Sequence, residues 1–189
     1  MIAGLEYIPN FAELEYEAQL LAVIDLQPWL TDLKRRVQHY GYRYDYRARR
    51  IAPDAHLGSL PAWARPLAER VYLAGYTSQC PDQLIINEYL PGQGIAPHVD
   101  CEPCFGESII SLSLGSACEM RFTHCHSQET RSLWLERGSL LVMRGDARYA
   151  WQHGIHARHT DLHQGQRTPR GRRVSLTLRN VILGEPAPE

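Results

Sequence analysis

The chain has 189 residues, of which 44% are hydrophobic and 22% charged, with a formal net charge of −1. That length and composition suit one well-cored globular domain and argue against two. The near-zero charge excludes a general electrostatic hold on nucleic acid, so any such binding must come from local patches.

No apolar run approaches the length of a membrane span, and Met1–Glu6 lacks the basic-then-apolar order of a signal peptide, so no membrane association is expected. Five cysteines, an odd number, are expected as reduced thiols in a cytoplasmic monomer. The charge is unevenly placed. The first thirty residues carry Glu6, Glu13, Glu15, Glu17 and Asp25 and no cation, whereas Lys34, Arg35, Arg36, Arg43, Arg47, Arg49 and Arg50 face Asp45 alone. A second basic run is Arg167, Arg170, Arg172 and Arg173.

In chain order, Asn10 followed by Glu13 has the pattern of a capping box, and Phe11, Leu14, Ala18, Leu21 and Ile24 recur at helical spacing up to Pro28. Tyr40, Tyr42, Tyr44 and Tyr46 then alternate with polar and basic residues, which predicts a strand with its rings on one side. Such a strand can stack bases and hold phosphates, or it can be an edge strand whose arginines are simply solvated. A loop over 51–60 precedes a second helix over Pro61–Ala74, with Trp63, Leu67 and Val71 on one face. From Gln83 onward, short strands are predicted at Gln83–Leu90, Ser108–Leu114, Glu119–Thr123, Arg131–Glu136, Ser139–Met143 and Arg172–Val181, a sandwich or jelly-roll pattern. Gln164–Gly171 reads as a flexible loop.

Three stretches carry chemistry. After the apolar run Leu84-Ile85-Ile86, a turn at Pro91-Gly92-Gln93-Gly94 leads into His98-Val99-Asp100. If that triplet is extended, the imidazole and the carboxylate share one face, two of the three ligands of a 2-His-1-carboxylate iron site. A third ligand could be His124, His126, His153, His156, His159 or His163. His153 stands out because it follows a strand and a short turn, and Gly154 permits close backbone approach. In a strand, Arg173, Ser175, Thr177 and Arg179 fall on one face. Two inward arginines are costly unless they meet an anion, a need that a dicarboxylate bound to the metal would fill.

As an ordered set, Asn87-Glu88-Tyr89, His98-Val99-Asp100, Gly145 to Ile155 and Arg173 to Arg179 resemble the AlkB family of iron(II)- and 2-oxoglutarate-dependent oxygenases. The resemblance spans about Leu5 to Val181, and Ser108–Ser116 is similar to a branch holding small bacterial members and the oxygenase domain of an animal tRNA-modifying enzyme. It implies an α+β fold: a double-stranded β-helix (jelly roll) over 83–183, with N-terminal helices and a nucleotide-recognition lid over 1–82 in the same domain. It implies iron(II) on His98, Asp100 and His153, and 2-oxoglutarate held by Asn87, Tyr89, Arg173, Ser175 and Arg179. Arg35, Arg36, Tyr40, Tyr42 and Glu102 are the implied substrate contacts, Glu102 facing the base.

The implied reaction consumes dioxygen and turns 2-oxoglutarate into succinate and carbon dioxide. It hydroxylates a methyl carbon on a base nitrogen, and the hemiaminal releases formaldehyde from a base flipped out of its stack. DNA repair is the first expectation and modification of tRNA or other RNA the second, a dedicated wobble-uridine role being weakened by the lack of an attached RNA-recognition or methyltransferase domain. A reading of a different class is a zinc-binding module built on Cys101, Cys104, Cys118, His124, Cys125 and His126, whose spacing is not that of a clean zinc finger.

Overall fold

Strand alternation at the centre of the chain sets the architecture of the computed structural model, which describes residues 2–31, 33–52 and 54–183. In chain order the elements are β1 (Leu5–Ile8), α1 (Leu14–Asp25), β2 (Val37–Tyr40), α2 (Arg65–Leu73), β3 (Gln83–Tyr89), β4 (Ile95–His98) and β5 (Ile109–Gly115). They continue with β6 (Cys118–His124), β7 (Thr130–Leu135), β8 (Leu140–Met143), α3 (Gly145–Tyr149), β9 (Trp151–Ile155), β10 (Thr160–His163), β11 (Gln166–Pro169) and β12 (Arg173–Arg179). One sheet has the order β1-β8-β5-β12-β3-β2 and a second the order β4-β9-β6-β7, with antiparallel pairing throughout. These are the two sheets of a jelly roll, with helices added.

The larger sheet is covered on both faces, and its two faces differ in chemistry. Leu84 and Ile86 of β3, Ile110, Leu112 and Leu114 of β5, and Val174, Leu176 and Leu178 of β12 form one core with Leu20 and Ile24 of α1 and Leu67 and Val71 of α2. Each such aliphatic side chain contributes about 1.5–3 kcal/mol on burial, which fixes the helices to this face. The opposite face carries Asn87, Tyr89, Ser111, Ser175 and the two arginines of β12, all buried. The alternation of β12 thus separates a core from a polar cavity, and not a core from solvent. A second core, with Phe122 and Met120 of β6, Ile109 of β5 and Met143 of β8, fills the remaining space between the sheets. No helix among the described residues is long and apolar enough to cross a membrane.

Several local expectations are corrected. Helix α1 starts at Leu14 with Glu13 as its N-cap and no side-chain cap, because Asn10 turns away with φ 52°. Glu17 of that helix is fully buried and is held by Arg137 and the Gly115 amide. Helix α2 starts at Arg65, with residues 61–64 forming a turn before it. The run of tyrosines is not one strand. Strand β2 ends at Tyr40, since Gly41 has φ 77° and its Cα lies so close to the Asp82 carbonyl that no side chain fits. The stretch expected to be flexible is a hairpin: β10 and β11 pair around Gln164 (φ 49°) and Gly165 (φ 78°), two left-handed residues that make a tight two-residue turn.

The cysteines also differ from expectation. A 3₁₀ turn at Glu102–Cys104 folds the C-x2-C segment back on itself, bringing the Cα atoms of Cys101 and Cys104 to 5.3 Å, and the pair forms a disulfide. Cys80, Cys118 and Cys125 are free.

Candidate metal and cosubstrate site

The cavity lies between the polar face of the larger sheet and strands β4 and β9, and encloses about 280 Å³. Antiparallel pairing of β4 with β9 sets His98 directly opposite His153, with ring centroids 4.4 Å apart. Asp100 follows β4 by two residues, as the spacing required. His98 Nε2 is 3.3 Å and His153 Nε2 is 4.0 Å from Asp100 Oδ1. The donor atoms of the three residues all lie within 4.8 Å of one another, and among the described residues no other His, Cys, Asp and Glu side chains gather in this way. The zinc-module reading therefore fails: Cys101 and Cys104 are bonded to each other, and the remaining cysteines and histidines do not converge.

The surroundings prepare these groups as ligands. The Nδ1–H of His98 donates to the Ala96 carbonyl at 2.9 Å, which leaves Nε2 with its lone pair toward the cavity. Burial is the largest influence on His153 and pushes its pKa down to about 3, so the ring is neutral and able to coordinate. Burial opposes ionisation of Asp100 most strongly, yet Arg179 and the two histidines outweigh it and hold the carboxyl well below the usual range. Arg179 Nε donates to Asp100 Oδ2 at 2.9 Å, leaving Oδ1 facing the imidazoles. From below, the buried Arg148 donates to the Asp100 carbonyl at 2.8 Å and to that of Cys101 at 3.2 Å, fixing the turn that carries the carboxylate. Gly154 is needed here too, since a Cβ would come within 2.9 Å of the Pro97 nitrogen on β4.

The far end of the cavity is built for an anion. Arg173 is 3% exposed, and among the described residues it has no carboxylate partner. Its Nη2 donates to Ser113 Oγ at 2.8 Å, while its Nε is buried without any partner. Tyr89 lies beneath it, with the guanidinium carbon 5.4 Å from the ring centroid. A buried guanidinium left in this state is costly, and a carboxylate meeting Nε and a terminal nitrogen would satisfy it. Two histidines and a carboxylate at one end and an unmatched arginine at the other fit an oxygen-binding metal chelated by a dicarboxylate. Asn87, Ser175 and Thr177 line the cavity between the two ends, Ser175 Oγ lying 3.0 Å from Ser111 Oγ.

The expected substrate contacts divide. Arg35 lines the cavity, its Nε donating to Asn87 Oδ1 at 2.8 Å. Arg36 does not: it pairs with Glu88, which also accepts from Arg172, and it stacks on Trp29 outside the cavity. Tyr40 points to the helical core, edge-on to Trp63, and Tyr42 packs against His56. Glu102 sits exposed on the 3₁₀ turn and does not line the cavity. Tyr44, Tyr46 and Arg49 occupy the mouth instead. Gly41 is the signal that the alternation is interrupted and that only the later tyrosines return over the site.

Comparison with known proteins agrees with this geometry. The family model described as the 2OG-Fe(II) oxygenase superfamily matches residues 5–179. An Alkylated DNA repair protein ALKBH8 homolog of Arabidopsis thaliana is 38% identical, over 95% of this chain and 59% of its own. Uncharacterized protein L905 of Acanthamoeba polyphaga mimivirus is 35% identical, over 95% of this chain and 85% of its own. The mouse tRNA (carboxymethyluridine(34)-5-O)-methyltransferase ALKBH8 is 37% identical, over 96% of this chain and 28% of its own. The chain thus spans less than two thirds of the Arabidopsis relative and under a third of the mouse one. Among solved structures, OsALKBH1 superposes with a TM-score of 0.71 at 17% identity, over 94% of this chain and 96% of that one, a likeness of fold. The chain belongs to the AlkB family of 2-oxoglutarate- and iron(II)-dependent oxygenases and is a dioxygenase that uses iron(II), 2-oxoglutarate and dioxygen.

Proposed function

We propose that this oxygenase dealkylates N-alkylated bases in nucleic acid, with repair of DNA as the leading role. The observation that carries the reading is the mouth of the cavity, where Tyr44 and Tyr46 present rings, and Arg35 and Arg49 guanidiniums, around the approach to His98 and Asp100. Aromatic faces receive a base flipped out of its stack, and guanidiniums hold the phosphates beside it. We take residues 1–82, which supply α1, α2, this lid and the two edge strands β1 and β2, and 83–183, the rest of the jelly-roll core, as parts of one domain.

Iron(II) with 2-oxoglutarate and dioxygen supplies an oxidant for a C–H bond, at the expense of decarboxylating the keto acid to succinate. His98, Asp100 and His153 hold the iron. Arg173, over Tyr89, takes the distal carboxylate of the keto acid, and Asn87, Ser175 and Arg179 orient the end nearer the metal. Tyr44 and Tyr46 position the base so that its N-alkyl carbon points at the iron. Hydroxylation there gives a hemiaminal, which releases formaldehyde and the unmodified base. We further infer a cytoplasmic monomer.

A second reading, action on RNA, is favoured by relatives whose names refer to tRNA in the mouse protein and to RNA/DNA demethylation in a Danio rerio protein 28% identical to this chain. The test is mass spectrometry of matched DNA and RNA oligomers carrying N-methylated bases, incubated with iron(II), 2-oxoglutarate, ascorbate and air, with each omitted in turn. Loss of the methyl group that needs every component supports dealkylation, and the DNA-to-RNA ratio ranks the two roles. Succinate formation with all methyl groups retained would refute it.

A further inference from the structure

Four arginines, Arg35, Arg49, Arg173 and Arg179, line the cavity, and Asp100 is its single carboxylate. Arg148 adds a fifth guanidinium directly behind Asp100, where its hydrogen bonds go to backbone carbonyls. Asp100 is engaged by Arg179, and among the described residues Arg35, Arg49 and Arg173 form no ion pair. Loading the site does not change this balance, because iron(II) brings two positive charges and 2-oxoglutarate two negative ones. The acidic residue expected to face the base, Glu102, is carried away by the 3₁₀ turn and stands in solvent. A base entering past Tyr44 and Tyr46 therefore meets an excess of positive charge and no acceptor able to neutralise a cation.

N-alkylated bases fall into two electrostatic classes. Alkylation of a pyridine-like nitrogen, as in N1-methyladenine or N3-methylcytosine, uses its lone pair and leaves a delocalised positive charge on the ring. Alkylation of an imide nitrogen, as in N3-methylthymine or N3-methyluracil, replaces an N–H and leaves the base neutral. We propose that the cavity selects the second class, and that Arg35 and Arg49 are the residues that impose the selection. Arg35 is placed for this. Its guanidinium is held inside the cavity by Asn87 and lies between Tyr46, 5.7 Å from the ring centroid, and Tyr89, 5.9 Å from that centroid. Arg49 stands at the mouth beside Tyr44, exposed and free of any acidic partner among the described residues. The selection rests on the dealkylation reading and narrows it.

N3-methyluracil and N3-methylcytosine have nearly the same shape and differ in charge, so a pair of RNA oligomers identical except for this base tests the point. Equilibrium binding to the iron-free protein, read by fluorescence anisotropy, should favour the neutral base by about tenfold or more, and kcat/KM of the loaded enzyme should favour it at least as much. Arg49→Gln should reduce that preference, because the N3-methyluracil complex loses a phosphate contact while the N3-methylcytosine complex offsets the same loss with relief of repulsion. If Arg49 acts on phosphate alone, the substitution weakens both oligomers equally and its part in selection is overturned. Equal or better use of N3-methylcytosine by the unsubstituted enzyme would overturn the selection itself while leaving dealkylation intact. If neither base loses its methyl group although succinate is formed, dealkylation fails, a distinct outcome.

Discussion

Arg173 offers a test in which function should fall sharply while stability hardly moves. Its side chain is buried, donates to Ser113 Oγ, and leaves Nε unmatched, with no carboxylate beside it among the described residues. In the free protein this cation carries a desolvation cost that little offsets, so Arg173→Met should change unfolding free energy by no more than about 1 kcal/mol, in either direction. In the 2-oxoglutarate complex, the same residue would make two charge-assisted hydrogen bonds. Their loss should weaken cosubstrate binding by about 3–4 kcal/mol, a roughly 150- to 1000-fold rise in its dissociation constant. Chemical denaturation of the metal-free protein gives the first quantity, and calorimetric titration of 2-oxoglutarate into the manganese(II)-loaded protein gives the second. A variant destabilised by several kcal/mol with unaltered 2-oxoglutarate affinity would show that Arg173 serves the fold, and the argument from its unmatched Nε would be wrong.

Glu17 is the opposite case, a buried carboxylate already matched by Arg137 and the Gly115 amide; Glu17→Ala should cost about 3 kcal/mol and lower the melting temperature by roughly 6–12 °C. Gly154→Ala should leave the protein folded but weaken iron binding by about tenfold, because the added Cβ presses on Pro97 and moves β4, with His98, away from β9; an unchanged metal titration would show that the strands have room. His39 is held near pKa 4, chiefly by burial and then by Arg43 and Arg179, and its Nδ1 accepts from the Tyr44 amide at 3.3 Å. Its folded value lies below the unfolded one, so stability is full above about pH 6.5 and falls as pH drops toward 4, by up to about 1.4 kcal/mol per unit. Denaturation midpoints of the wild type and His39→Gln across that window should differ in slope, and parallel curves would exclude the histidine as the titrating group.

What the sequence made legible, and what it did not, follows from how local each signal is. His98, Asp100, Arg173 and Arg179 were readable because strand alternation alone decides which face they share, and β12 keeps that alternation over its full length. The lid is less legible for the same reason: alternation continued through Gly41 points Tyr40 toward the substrate, whereas the close approach of Asp82 turns the chain there and Tyr40 packs on Trp63. The place of Arg36 outside the cavity is not legible locally, because the carboxylate that holds it, Glu88, is distant in sequence. Glu102 was displaced by a turn that the C-x2-C spacing permits but does not announce. Gln164-Gly165 is, beside Gly41, a local cue that the sequence does carry, a pair suited to a tight hairpin turn.

The central claim is that His98, Asp100 and His153 together hold iron(II) beside a keto acid anchored on Arg173. Anaerobic titration of iron(II) into the protein with 2-oxoglutarate, followed by the visible charge-transfer absorption of the iron–keto-acid chelate, tests it most directly. The band should appear with one iron per chain, vanish in His98→Ala and His153→Ala, and persist in a Cys101→Ser/Cys104→Ser variant. A band that survives in His153→Ala, or disappears when only the two cysteines are replaced, would contradict the account.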